Sequence, residues 1–313
     1  MKDKLIGNTP LVKIQVKYNG VSKNIYAKLE YYNLTGSIKD RMAEYIIRAS
    51  YREGTLRSGM PIIEATSGNT GIAFSALGAL YGHPVHIFMP DWASVERVNI
   101  MKMYGAKVYL VSKEDGGFVE AIRRADNLAK EIGGFRPQQF ENNLNMLAHY
   151  EGTGQEIIEK LPMIDGFVSG FGTGGTIMGI GMRIKEKFPN AKVIAMEPKN
   201  MTLLSENKVI GTHRIEGIGD DFLPALMNPE QVDGVVTVDD GDAIIMAQRL
   251  ARELGLGVGI SSGANFLASV RTEGENIVTI FADDFKKYLS TDLAKRTDEN
   301  NLLDIEIVGM ELV

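Results

Sequence analysis

Short apolar segments alternate with longer helical segments along most of this chain, and this alternation constrains the fold more than any other feature. The first half predicts strands and following helices at 61–64 and 70–81, 85–89 and 94–104, and 107–111 and 117–132. The second half repeats the pattern, with strands at 166–169, 192–196 and 276–281 and helices at 176–187 and 240–254. Strands joined by helices of this length form parallel sheets whose faces are covered. We therefore predict an α/β fold with two three-layer α/β/α domains built on mainly parallel, twisted sheets.

Composition excludes several kinds of protein. The chain has 313 residues, 44% of them hydrophobic and 24% charged, and a net charge of -6, which argues against a general nucleic-acid or anionic-membrane surface. The absence of cysteine excludes disulfides, thiolate metal sites and a thiol nucleophile, and it favours a reducing cytoplasm. The first residues lack the apolar core of a signal peptide, and apolar stretches such as 72–80 are too short for a membrane span.

A polar, glycine-rich loop, Gly172–Thr176, follows one predicted strand and opens a helix. Ligands of open α/β sheets bind beyond the carboxyl ends of the strands. The free amides of a helix start, two threonine hydroxyls and the close approach that glycine allows suit a phosphate dianion. A tight turn between strand and helix is the other explanation. The loop lacks both the lysine ending of a P-loop and the dinucleotide-binding spacing.

A second loop, Thr66–Gly71, has the same strand–loop–helix setting. Its hydroxyls, its amide side chain and the helix amides could bind a carboxylate. A helix cap formed by Thr66 or Ser67 is the alternative, but one cap accounts for only one hydroxyl.

Two further residues can carry chemistry. Lys39 could lie on an exposed helix face beside Asp40 and Arg41, whereas a functional role requires partial burial, which lowers the pKa of the amine and permits imine formation. Ser261 lies in the turn Gly259–Gly263 after a predicted strand, where it could simply cap a helix.

The motifs taken together resemble the cysteine synthase and cystathionine β-synthase family of pyridoxal-phosphate enzymes, the fold-type II group related to the tryptophan synthase β subunit. The resemblance covers nearly the whole chain. It is carried by Ile6–Leu11, Lys28–Glu30, Thr35–Arg41, Thr66–Gly71, Gln138–Asn142, Gly172–Thr176, Ile215–Gly219 and Tyr288–Thr291.

This resemblance implies that pyridoxal 5'-phosphate binds in a cleft between two domains. The smaller, mobile domain would span 37–148, and the larger cofactor-binding domain would comprise 1–36 and 149–313. Lys39 would form an imine with the cofactor and move the Cα proton, Asn69 would bind the cofactor 3-hydroxyl, and Ser261 would face the ring nitrogen. The cofactor phosphate would be held by Gly172, Thr173, Gly174, Gly175 and Thr176, and the substrate carboxylate by Thr66, Ser67, Gly68, Thr70 and Gln139. Relatives also suggest a homodimer; a serine acetyltransferase partner cannot be identified.

The neutral hydroxyl of Ser261 has a chemical consequence. It supports a protonated ring less than a carboxylate would, so the ring is a weaker electron sink. Loss of a β leaving group is then favoured over transamination or racemisation. The implied reaction is β-elimination or β-replacement, through an aminoacrylate, on cysteine, serine or O-acetylserine.

The chain departs from the family at three places. Leu34 stands where proline is common, and 282–287 replaces a Pro-Asp-Ser-Gly stretch. Asp220 follows Gly219 where cysteine synthases have a small residue and cystathionine synthases a tyrosine. Its carboxylate could bind or deprotonate an incoming nucleophile, with a pKa raised by the nearby phosphate and substrate carboxylate. Asp220 could equally be a solvated loop residue or a backbone cap, and Asp221 is interpreted as structural.

These observations predict an enzyme that releases hydrogen sulfide from L-cysteine and adds water or a thiol, giving serine or a thioether such as lanthionine. The alternatives are cysteine synthesis from O-acetylserine and sulfide, or serine-dependent cystathionine synthesis. From a different class, a non-catalytic binding relative is disfavoured because Lys39, Asn69 and Ser261 are intact. A nicotinamide-dependent oxidoreductase is disfavoured by the missing fingerprint.

Overall fold

The computed structural model describes residues 5–219, 222–295 and 304–313. The strands are β1 Leu11–Tyr18, β2 Val21–Leu29, β3 Ile62–Ala65, β4 Val85–Pro90, β5 Lys107–Val111, β6 Gly166–Gly170, β7 Lys192–Pro198, β8 Met201–Thr202, β9 Lys208–Val209, β10 Gly234–Val238, β11 Asn276–Phe281 and β12 Ile305–Leu312. The α-helices are α1 Lys39–Glu53, α2 Asn69–Tyr81, α3 Val95–Met103, α4 Gly117–Ile132, α5 Asn143–Ala148, α6 Gln155–Lys160, α7 Gly175–Lys187, α8 Asp240–Leu254 and α9 Ile260–Arg271. A π-helical turn, His149–Gly154, joins α5 to α6.

The larger sheet has the strand order β10-β7-β6-β11-β2-β1-β12. The strands from β10 to β2 are parallel, and β1 runs antiparallel to both of its neighbours. Successive residues of a strand point to opposite faces. Val168 accordingly packs with α8 and α9 on one face, and Phe167 packs with α6 and α7 on the other. This sheet is therefore the middle layer of three.

The smaller sheet contains β3, β4 and β5, all parallel. Ile62 packs with residues of α1, α2 and α3, whereas its neighbour Ile63 packs with α4. Both sheets are thus covered on both faces, which confirms the predicted α/β class with mainly parallel sheets. The proposed domain boundaries at 36/37 and 148/149 stay a prediction.

The predicted strand before Ser261 is wrong. A single antiparallel bridge between Val258 and Asp284 is all that forms there, and Ser261 is the second residue of α9. Gly255 and Gly257 break up this short connection between α8 and α9, which leaves no room for a regular strand.

Among the described residues, no helix combines the length and the apolar character that a bilayer crossing requires.

Candidate active site

One cleft gathers almost all the residues that the sequence predicted for a site. It lies where the carboxyl ends of β3, β6 and β11 meet the first turns of α1, α2, α7 and α9. The predicted residues that line it are Lys39, Thr66, Ser67, Gly68, Asn69, Thr70, Gln139, Gly172, Thr173, Gly174, Thr176 and Ser261. Gly175 is the first residue of α7, directly beside it. Asp220 and Asp221 lie outside the described residues.

Lys39 is the first residue of α1 and is only partly exposed. The chain before it is fastened to the end of β11, because the Ile38 amide donates to the Ala282 carbonyl at 2.9 Å. The two residues that follow, Asp40 and Arg41, are buried. An exposed helix face is therefore the wrong interpretation of this segment, since it is buried on the side that carries Asp40 and Arg41.

Gly172–Thr176 forms a cradle at the start of α7. Gly174 has a left-handed φ of +85°, and a Cβ there would lie 2.9 Å from the Met227 amide nitrogen, so only glycine fits. The first amides of α7 have no partner within the helix and can bind an anion. Asn145, which is buried, donates to Thr173 Oγ1 at 2.9 Å. The cradle is thus pre-organised for a phosphate group.

His149 lies against Thr176, the last residue of the cradle. Its Nε2 lies 3.3 Å from Thr176 Oγ1, and its Nδ1 lies 3.1 Å from Thr153 Oγ1. Burial, together with the positive charges of Lys39 and Arg41, lowers the pKa of His149 well below its usual value. A neutral imidazole therefore positions Thr176. No sequence pattern indicated this role or that of Asn145, because neither residue belongs to a glycine-rich loop.

Thr66–Thr70 forms the second anion-binding loop. The hydroxyl of Thr70 donates to Gln139 Oε1 at 2.6 Å, and Gln139 Nε2 donates to the Ala65 carbonyl at 3.0 Å. Helix α2 begins at Asn69 after Gly68 and has no side-chain cap, so the proposed cap by Thr66 or Ser67 is wrong. Thr66 Oγ1 instead accepts from the Gly68 amide at 3.0 Å. The first amides of α2 therefore remain available to a carboxylate.

Asn69 has one satisfied and one unsatisfied polar atom. Its Nδ2 donates to Asp283 Oδ2 at 2.7 Å, but its buried Oδ1 has no hydrogen-bond partner among the described residues. Tyr288 also donates to Asp283 Oδ2, at 2.7 Å. An unpaired buried acceptor costs about 1–3 kcal/mol. Oδ1 is thus poised for a ligand hydroxyl.

Ser261 contributes a hydroxyl from the first turn of α9 and is 6% exposed. One turn later, Asn265 Oδ1 accepts from the Gly170 amide at 2.7 Å, and its Nδ2 donates to the Ile280 carbonyl at 2.8 Å. These bonds fix α9 against the ends of β6 and β11.

The donor set of the cleft fits a phosphorylated pyridine aldehyde. It offers a lysine amine, an anion cradle, an unpaired amide oxygen and a serine hydroxyl, with a second anion-binding loop for a substrate. Arg97 and Glu216, which the sequence did not single out as individual site residues, also line this cleft.

Comparisons with known proteins agree with this chemistry. A family profile described as pyridoxal-phosphate dependent enzyme matches residues 2–283. Cysteine synthase of Staphylococcus aureus is 38% identical over 296 residues, which are 92% of this chain and 95% of that protein.

Three solved structures are also similar. The hydrogen sulfide-producing enzyme of Fusobacterium nucleatum has a TM-score of 0.93 and is 50% identical, covering 100% of this chain and 98% of that one. An aspartate-to-asparagine mutant of a hydrogen sulfide-producing enzyme, also 50% identical, has been captured with an α-aminoacrylate intermediate. Cysteine synthase of Entamoeba histolytica has a TM-score of 0.87 and 39% identity over 95% of this chain and 91% of that one. The chain belongs to the pyridoxal-phosphate-dependent enzyme family and resembles its members in cysteine metabolism.

Proposed function

We propose that this enzyme eliminates sulfide from L-cysteine and then adds water or a thiol at Cβ, giving serine or a thioether such as lanthionine. The observation that carries the proposal is the full-length similarity, at 50% identity, to a hydrogen sulfide-producing enzyme. The cleft is consistent with it, because its second anion-binding loop lies beside Lys39.

Different residues of the cleft would perform different steps of a β-elimination. Bound pyridoxal 5'-phosphate supplies an electron-withdrawing ring that acidifies the Cα proton and lets the β substituent depart. The Gly172–Thr176 cradle would hold its phosphate, and Asn69 Oδ1 would accept from its hydroxyl. The loop Thr66–Thr70, with Gln139, would orient the substrate carboxylate. The Lys39 amine would then remove the proton from Cα and later return it.

We assign to Asp220 the activation of the incoming nucleophile, which is water or a thiol. The segment just before it lines the cleft at Glu216–Ile218, and the Gly219 amide donates to the Phe171 carbonyl at 3.2 Å. A carboxylate that follows this segment in sequence could accept a proton from water or a thiol.

Product analysis tests the overall reaction. Purified holoenzyme is incubated with L-cysteine, with and without a second thiol, and sulfide, serine and thioethers are quantified by mass spectrometry. We expect sulfide together with serine or lanthionine. Absence of sulfide release would contradict the proposal.

The role of Asp220 is tested by Asp220→Asn, with Asp221→Asn as the matched neighbouring control. We expect Asp220→Asn to release about one sulfide per active site and then stall before product forms, because the nucleophile is no longer activated. An aspartate-to-asparagine mutant of the similar enzyme holds its α-aminoacrylate intermediate, which is the behaviour expected here. If Asp220→Asn leaves sulfide release and product unchanged, the assignment is wrong.

Cysteine synthesis from O-acetylserine and sulfide is the second candidate, favoured by the 38–39% identity to cysteine synthases. The two functions are separated by kcat/KM, measured with O-acetylserine plus sulfide and with L-cysteine alone. A higher value for O-acetylserine would favour this candidate. We further propose a cytoplasmic homodimer, which light scattering and cell fractionation test.

A further inference from the structure

Arg97 is a buried cation in the cleft with an incomplete set of hydrogen bonds. It lies on α3, is 2% exposed and lines the same cleft as Lys39. Its Nε has no hydrogen-bond partner among the described residues. Buried guanidinium donors are costly to leave unpaired, so this N–H marks a position for an acceptor that the protein does not supply.

The rest of the guanidinium is already held in place. Nη1 forms an ion pair with Glu216, and the guanidinium carbon lies 4.6 Å from the centre of the Tyr288 ring. These contacts come from segments that are far from α3 in sequence. They fix the orientation of the planar group and leave the direction of Nε–H defined.

The unpaired Nε lies directly against the second anion-binding loop. A Cβ built on Gly68 would lie 2.2 Å from Arg97 Cδ and 2.7 Å from Nε. The glycine at position 68 therefore lets the arginine side chain cross the loop. It places the free N–H beside the helix amides of α2 that are available to a carboxylate.

We propose that Arg97 binds the substrate α-carboxylate through Nε–H and makes that carboxylate a requirement for substrates. The assignment rests on the proposed function in taking an amino acid as the substrate. A hydrogen bond between a guanidinium and a carboxylate is charge-assisted and stronger than a neutral one. A site built around such a donor discriminates against ligands that lack the acceptor, because the donor then stays buried and unpaired.

Glu216 tunes this interaction. Its side chain is 29% exposed and neutralises the guanidinium through Nη1. Since it also repels a nearby carboxylate, removing its charge leaves the Nε donor in place and strengthens the pull on the ligand.

The test compares two ligands that differ only by the carboxylate. L-Alanine and ethylamine both lack a β leaving group, so binding to the holoenzyme is read from the cofactor's visible absorbance without turnover, and independently from thermal shift. Arg97→Lys keeps a cation for Glu216 but removes the Nε donor. We expect it to weaken L-alanine binding by roughly 10- to 100-fold and to leave ethylamine binding unchanged.

Two variants separate binding from structure. Glu96→Gln alters the neighbouring residue, which accepts hydrogen bonds from Ser290 and does not line the cleft. This variant should change the binding of neither ligand. Glu216→Gln should keep or tighten L-alanine binding. The proposal is overturned if Arg97→Lys leaves L-alanine binding intact, or if Arg97→Lys and Glu216→Gln weaken both ligands equally, as a purely structural ion pair would.

Arg97→Met, which carries no N–H donor, serves as the second variant if Arg97→Lys does not fold, and it should likewise weaken L-alanine binding and leave ethylamine binding unchanged. Failure of the proposed function appears in a separate measurement. If the wild-type enzyme binds L-alanine through Arg97 but releases no sulfide from L-cysteine, the carboxylate site is supported and only the proposed reaction is wrong.

Discussion

Two buried arginines, Arg41 and Arg97, differ in how completely they are paired. Arg41 is 6% exposed, and all three of its guanidinium nitrogens donate to carboxylates of Glu30 and Glu156. Arg97 is 2% exposed, yet its Nε has no partner among the described residues. Burial alone therefore does not distinguish a structural arginine from a ligand-binding one, whereas the completeness of its hydrogen bonding does.

The Arg41 cluster lies directly behind Lys39 and holds α1 to the larger sheet. Lys28 pairs with Glu156 at 2.7 Å and donates to the Thr9 carbonyl at 2.5 Å, while Glu30 is fully buried. The cluster thus joins β2, α1 and α6. It gives Lys39 rigid support, although none of the four charged residues of the cluster lines the cleft.

The largest expected effect is on stability, from Arg41→Met. Removal of the guanidinium leaves the Glu30 and Glu156 carboxylates short of partners, and breaking a buried pair in this way costs about 3–5 kcal/mol. Urea denaturation monitored by circular dichroism measures the loss. A cost below that of Arg97→Met would show that the degree of pairing does not rank these two arginines.

The pH dependence of the free energy of unfolding provides a second test of the pairing of Arg41. Although burial opposes it, the hydrogen bond and charge of Arg41, with those of Lys28, lower the pKa of Glu156 from 4.5 to about 2. Because the folded-state pKa is depressed, Glu156 contributes stability that is present above pH 4.5 and lost as the pH falls towards about 2. The free energy of unfolding of wild type should therefore fall across this range, and that of Arg41→Met should fall less.

The contribution of Asp40 to stability has the opposite pH dependence, and it provides a control. Burial raises its pKa from 3.8 to about 6, so its contribution is present below pH 3.8 and lost as the pH rises through about 6. Its neighbouring donors are Thr35 and Ser37 rather than Arg41. The Asp40 contribution should consequently cancel when wild type is compared with Arg41→Met. Equal slopes in the two proteins below pH 4.5 would contradict the role assigned to Glu156.

The comparison also explains which parts of the structure the sequence could predict. Strands such as β4 and β11 and helices such as α2 and α4 follow from local patterns, and the glycine-rich loops mark the strand ends where ligands bind. Arg41 and Arg97 pair with Glu156 and Glu216, which lie 115 and 119 residues away. No local pattern reports such pairing, so the sequence offered no way to separate the burial of this segment from the alternative of an exposed helix face.

The edge of the larger sheet escaped prediction for a further reason as well, because neither β1 nor β12 was among the predicted strands. β12, near the end of the chain, pairs antiparallel with β1, near its beginning. Local periodicity indicates that a segment is a strand but not which strand it joins. Long-range pairing therefore limits what sequence reasoning reveals about both the fold and the site.

Arg97→Met should reduce stability by a smaller amount than Arg41→Met. It removes one ion pair and the contact with Tyr288, but Glu216 is 29% exposed and can be hydrated again. We expect a cost of about 1–2 kcal/mol in urea denaturation. A cost equal to that of Arg41→Met would assign Arg97 a mainly structural role.

The smallest effect is expected for Arg214, which is well paired but half exposed. It donates to Asp240 at 2.7 and 2.9 Å and to Asp292 at 2.8 Å, and its side chain is 49% exposed. Exposed ion pairs contribute about 0–1 kcal/mol because water solvates both partners. Arg214→Met should therefore cost at most about 1 kcal/mol. This difference from wild type should shrink in 1 M salt, where the Debye length is about 3 Å, while the cost of Arg41→Met should persist. If salt reduced both costs equally, burial would not be what makes the pairing of Arg41 strong.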